Sequence, residues 1–161
     1  MLREAPGCKS YVMKKLALSL AAAFAITLPT CAADLTWLTD LPKAKAQAKA
    51  EGKLVLIDFT GSDFCPPCIR LAKEVFPTKE FSDYAKQHVV LVEVDFPIKK
   101  KQSPELKAAN EALAKEFKVD GYPTLIVLSP DGKKLGELEF DADAKQLVAA
   151  LKKFAEQAKK S

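Results

Sequence analysis

The order of apolar runs in this chain predicts an α/β domain: a mixed central sheet with helices on both faces, closed by a C-terminal antiparallel hairpin. Leu54 to Phe59 (LVLIDF) and Val89 to Asp95 (VVLVEVD) are short apolar runs, as strands buried on both faces show. Helical segments separate them, which implies a parallel core. Leu125 to Leu128 and Lys134 to Phe140 flank Pro130-Asp131-Gly132, a hairpin turn that adds an antiparallel edge.

Each element has a local reason. Asp40 is placed to cap an Ala/Lys-rich helix that runs to Glu51, Pro42 suits its first turn, and Gly52 stops it. After the strand at 54–59, residues 60–64 form a loop. A helix is expected from Cys65 to Phe76, ended by Pro77. Thr78 to Gln87 reads as a short amphipathic helix with Phe81, Tyr84 and Ala85 inward. Phe96 to Gln102 is a loop, and Ser103-Pro104-Glu105 opens a helix to Phe117. Residues 143–158 form the last helix, with Leu147, Val148, Leu151, Phe154 and Ala155 on one face. Asp34 to Leu38 and the final residues are the flexible candidates, with Trp37 as a packing anchor for the N-terminal segment.

The start of the chain reads as an address. Met13-Lys14-Lys15 precedes an uncharged run from Leu16 to Leu28, and small residues follow to Ala33. A basic stretch, a short apolar run and small residues make a secretory signal peptide over 1–33, with the start placed at Met13 and the folded domain at 34–161. An uncleaved anchor, or a lipoprotein through Leu28-Pro29-Thr30-Cys31, is the alternative. Of the 161 residues, 48% are hydrophobic and 29% charged, which suits one folded domain and excludes wholesale disorder. The formal charge is +4. Arg3, Lys9, Lys14, Lys15 and Glu4 lie in the leader, so the rest carries a net +1, with no nucleic-acid footprint. Two of the four cysteines, Cys8 and Cys31, lie there as well.

The two that remain form Cys65-Pro66-Pro67-Cys68, just after a strand and at the start of a helix. A thiolate at that place meets the helix dipole and free N–H groups, which lower its pKa. Cys65, at the exposed end, is expected to attack, and Cys68, one turn in, to resolve. A zinc site lacks ligands, since only His88 accompanies the two cysteines. A structural disulfide closing so short a loop would stabilise little. A redox pair is therefore favoured. Neither Pro66 nor Pro67 has an N–H, so two thiolate donors are missing. A moderate pKa depression and a pair that is not a strong oxidant are expected.

The stretch LVLIDFTGSDFCPPC, with Gly121-Tyr122-Pro123-Thr124 downstream, resembles the thioredoxin family, most closely its exported members and the C-terminal domain of the transmembrane thiol:disulfide interchange protein. The resemblance implies a thioredoxin fold and thiol–disulfide oxidoreductase activity without a cofactor or metal. It implies that Pro123 is a cis proline facing the cysteines, leaving the Tyr122 backbone to pair with an extended substrate. Phe64 and Thr124 complete that substrate-binding set. Asp58 matches the family's buried strand acid, a base for the resolving cysteine, because desolvation raises a carboxyl pKa. This chain departs by having Phe64 where Trp is usual, a loop from Asp58 to Cys65 one residue longer than in thioredoxin, and a longer 96–116 segment.

The expected activity is reduction of protein disulfides by a monomer in the periplasm, reset by a membrane-bound thiol–disulfide electron donor. A disulfide oxidase or isomerase, or a non-catalytic binding module using the Tyr122-Pro123 groove, is the alternative. His88 reads as a surface residue. Lys99-Lys100-Lys101 reads as a solvated loop, or as a docking patch for an acidic redox partner.

Overall fold

The computed structural model describes residues 35–160, so the leader expected at 1–33 lies outside the described residues. Among them the chain runs β1 (Trp37–Leu38), α1 (Leu41–Glu51), β2 (Leu54–Thr60), α2 (Pro66–Arg70), a π-helical turn (Leu71–Val75), α3 (Lys79–His88), β3 (Val89–Asp95), α4 (Pro104–Phe117), β4 (Thr124–Leu128), β5 (Lys134–Leu138) and α5 (Ala144–Ala158). The expected caps form. Asp40 accepts from Lys43 N–H, Gly52 closes α1 at φ 66°, and Ser103 accepts from Leu106 N–H. Asp143 and Gln146 close a reciprocal box at the start of α5, each bond 2.8 Å.

The sheet order is β1-β3-β2-β4-β5. Strands β1, β3 and β2 are parallel, whereas β4 runs antiparallel to β2 and β5 antiparallel to β4. The antiparallel part therefore begins beside the central strand. Its cause is the 96–123 connection. That segment leaves β3 at Asp95, level with Thr60, and re-enters at Thr124, level with Phe59. Both ends lie at one end of the sheet, so the returning strand must run backward.

Alternation along the strands divides the core in two. Leu54 and Leu56 of β2, Leu91 of β3 and Leu125 of β4 face the π turn, α3 and α5 through Leu71, Phe81 and Leu151. Val55, Ile57 and Phe59 face the other way, onto α1 and α4. The helices thus cover both faces, as the sequence implies. No described helix is long and apolar enough to cross a membrane.

Three local differences from the sequence reading stand out. The segment read as flexible pairs instead: Trp37 lies opposite Leu91, and its ring centroid is 5.0 Å from that of Phe76. The anchor role of Trp37 holds for that reason. The helix after Cys65 widens at Leu71, where Phe76 N–H bonds Leu71 C=O five residues back. The extra residue in that turn lets Val75 and Phe76 both reach the core. Strand β5 ends at Leu138, and Phe140 lies in the following turn, 44% exposed.

Gly136 in β5 is fixed by close approach. A Cβ there would lie 2.7 Å from the ring of Phe154 in α5. Gly136→Ala should therefore destabilise the fold by about 1–3 kcal/mol through overpacking, read as a lower midpoint in urea unfolding.

Candidate active site

Cys65 caps α2 from an extended backbone conformation, with φ −91° and ψ 108°. It is bonded to Cys68, with S–S 2.08 Å and Cα–Cα 5.3 Å. The structure is thus the oxidised state. Cys65 Sγ accepts the Cys68 N–H at 3.3 Å, and Cys68 Sγ accepts the Gly61 N–H at 3.5 Å. Among the described residues these are the N–H donors that meet the two sulfurs. Pro66 and Pro67 supply none, as their missing amides require.

Neither sulfur stands in the open. Cys65 is 5% exposed and Cys68 1%. The sequence reading of Cys65 as the exposed end is corrected in degree, though Cys65 remains the more accessible of the two. Aromatic residues gather round it. Phe64 is 40% exposed and meets Tyr122 edge-on at 6.5 Å, while Phe96 stacks on Tyr122 at 4.9 Å and 21°. The Tyr122–Pro123 bond is cis. Tyr122 C=O lies 3.6 Å from Cys65 Sγ, a sulfur that carries no proton in the disulfide. Pro123 is buried, and Thr124 opens β4 with its hydroxyl donating to Gly121 C=O at 2.8 Å. Phe64 and Tyr122 therefore adjoin Cys65, and Pro123 and Thr124 lead from Tyr122 into β4.

Asp58 lies in the middle of β2, between Glu93 of β3 and Leu125 of β4. Its side chain takes the face of Leu54 and Leu56, which α2's continuing π turn covers with Leu71 and Val75. It is 5% exposed, and its Oδ1 has no hydrogen-bond partner. Burial first, then the carboxylates of Glu93 and Asp95, push its pKa up to about 7. Glu93 is raised in its turn, chiefly by burial and then by Asp95, with Lys100 opposing. Three acids thus share one face at one end of β2 and β3.

The loop between β2 and Cys65 is held from outside. Ser62 N–H and Oγ–H donate to the Asp95 carboxylate at 2.9 and 2.6 Å. Asp63 accepts three successive backbone N–H groups, from Ile98, Lys99 and Lys100, at 2.9, 2.7 and 2.9 Å. Those bonds, that of Ile98 foremost, hold its carboxyl below the usual range. Gln102 and Asn110 both donate to Asp95 C=O, at 2.9 and 2.8 Å. The sequence reading missed Ser62, Asp63, Glu93 and Asp95. A signal was present: Glu93 and Asp95 fall two apart in a strand whose alternation aligns them with Asp58. His88 is exposed, its ring 4.6 Å from that of Tyr84 on α3.

This geometry has known counterparts. A family model described as a thioredoxin-like domain matches residues 41–155. The chain belongs to the thioredoxin-like family. It is similar to the disulfide bond reductase DsbH of Chlamydia pneumoniae, 36% identical over 71% of this chain and 69% of that protein. It is 33% identical to the thiol:disulfide interchange protein DsbD 2 of Pseudomonas aeruginosa over 66% of this chain, which spans only 17% of that much longer protein. A solved structure of a DsbH oxidoreductase superposes with TM-score 0.72 at 33% identity, covering 81% of this chain and 90% of that one. With the Cys65–Cys68 pair in place, this thioredoxin-like chain is a thiol–disulfide oxidoreductase.

The buried acid gives a stability signature. Asp58 ionises at about pH 7 when folded and at its ordinary 3.8 when unfolded. Its neutral form favours folding fully below pH 4, and that advantage is lost as pH rises through 7. Asp58→Asn removes the ionisation. The variant should match the oxidised parent near pH 4 and exceed it at pH 8 by roughly 2–4 kcal/mol, read by urea unfolding across that range.

Proposed function

We propose that this protein is an exported reductase of protein disulfides. The observation that carries the direction is electrostatic. In the reduced form the Cys65 thiolate would have the Cys68 N–H as its close backbone donor, where two prolines withhold theirs. Among the described residues no hydrogen bond or ion pair brings a cation to either sulfur. A reduced form stabilised so little gives its electrons readily. The name of the similar Chlamydia pneumoniae reductase agrees with this reading.

The reaction proceeds by two exchanges. Cys65 thiolate attacks one sulfur of a substrate disulfide; a new S–S bond forms and the old one breaks. The departing substrate thiolate takes up a proton. Asp58, a carboxyl poised near neutrality, accepts the proton of Cys68. Cys68 thiolate then attacks Cys65 Sγ, and the second substrate thiolate leaves. The substrate has gained two electrons, and the protein ends as the disulfide described here.

Phe64, Tyr122, Pro123 and Thr124 hold the substrate. Tyr122 C=O, beside Cys65 Sγ, suits pairing with an extended peptide. No metal or organic cofactor takes part. The leader at 1–33 directs export to the periplasm or an equivalent compartment. A membrane-bound dithiol donor then resets the pair, and the domain acts as a monomer.

Insulin-disulfide reduction under dithiothreitol tests the assignment. Cys65→Ser should fall to the rate of dithiothreitol alone, and Cys68→Ala should accumulate as a mixed disulfide with its target. Undiminished catalysis by Cys65→Ser would contradict it.

A further inference from the structure

The 96–101 segment lies outside the chemistry just described, yet it is fastened to the redox loop. Asp63, two residues before Cys65, gathers the amides of Ile98, Lys99 and Lys100. Lys100 Nζ donates to Ser62 Oγ at 3.0 Å, and Ser62 is gripped by Asp95. Phe96, at the base of the segment, stacks on Tyr122, which meets Phe64. Ile98, Phe96, Tyr122, Phe64 and Cys65 thus belong to one connected surface.

A loop held this firmly still leaves Ile98 71% exposed, the highest value among the large apolar side chains of the described residues. Three backbone bonds to one carboxylate keep it from folding the side chain away. Beside it, Lys99 and Lys101 are exposed and have no ion pair among the described residues. An apolar side chain followed by unpaired cations, pre-ordered on the segment tied to the redox loop, complements a segment of opposite pattern.

We propose that Ile98, Lys99 and Lys101, with Phe64, form a docking surface for an extended protein segment that carries an apolar residue between acidic ones, next to the disulfide to be reduced. The proposal rests on the reductase reading above. The apolar side chain would cover Ile98 and Phe64. The acids would pair with the two lysines and speed encounter, an effect that added salt weakens.

The test uses the reduced protein and three disulfide-cyclised peptides. They are identical except that a leucine beside one cysteine is flanked by two Glu, two Gln or two Lys. Rates of disulfide reduction are compared at low and high salt. The Glu peptide should react about tenfold faster than the Lys peptide at low salt, the ratio shrinking in 0.5 M NaCl. Lys99→Gln/Lys101→Gln should bring the ratio near one, and Lys99→Glu/Lys101→Glu should invert it. Ile98→Ser should slow the Glu peptide severalfold while leaving the Glu-to-Lys ratio in place. Because each ratio is read within one variant, a general loss of activity does not imitate the result. Equal rates for the three peptides with the parent protein, or a ratio that survives charge reversal, would overturn the docking surface. Hydroxyethyl disulfide, which has no flanking segment, separates the two levels. If the parent reduces it without discriminating the peptides, only the docking surface falls. If the parent reduces none of the four, the reductase reading falls and takes the docking surface with it.

Discussion

Asp58 sits in the central strand with one carboxylate oxygen unpartnered and two further acids at its side. A buried charge without a cation is costly, so the group is held neutral until about pH 7. Much of the site follows from accommodating it. The strand must be covered on both faces for the acid to be dry, which the π turn and α5 do on its own side. The helix carrying the cysteines must lie over that face, and the loop joining the two must be short and fixed. Ser62 and Asp63 fix it by holding the end of β3 and the segment just beyond it. One carboxyl in a strand interior thereby constrains the packing beneath the cysteine-bearing helix.

The stabilisation open to a Cys65 thiolate is set by the groups around it. Donor N–H groups and nearby cations stabilise a thiolate and make its disulfide a stronger oxidant. Here the two residues after Cys65 have no N–H, and among the described residues no hydrogen bond brings a cation to either sulfur. Lys100 partly offsets Glu93, but its ammonium is directed to Ser62. A reduced pair held without strong stabilisation is what the proposed reductase needs.

Most of the architecture was legible in the sequence because it rests on local chemistry. Asp40, Gly52, Ser103 and Asp143 cap or stop helices where their side chains dictate. The strands at β2 and β3 announce themselves by short, mostly apolar runs rich in β-branched residues. Cys65, Cys68 and the Tyr122-Pro123 pair were visible through spacing and resemblance. What escaped depends on long-range geometry. The reversal of β4 follows from where the 96–123 connection returns, which spacing does not encode. Trp37 and Leu38 form a strand only because β3 offers an edge. The grip of Asp63 on Ile98, Lys99 and Lys100 joins residues 35 to 37 apart. Its trace was the extra residue between Asp58 and Cys65, a departure whose purpose only the folded chain displays.

The reduction potential of the Cys65–Cys68 pair tests the central claim most directly. Equilibration of the oxidised protein with graded ratios of reduced and oxidised dithiothreitol, followed by thiol alkylation, gives the value. A potential near that of thioredoxin, about −270 mV and at any rate below about −220 mV, is the predicted result at pH 7. A potential near −120 mV, roughly that of a strong periplasmic oxidant, would contradict the account, since it would require a thiolate stabilised far beyond what one N–H donor without a paired cation can supply.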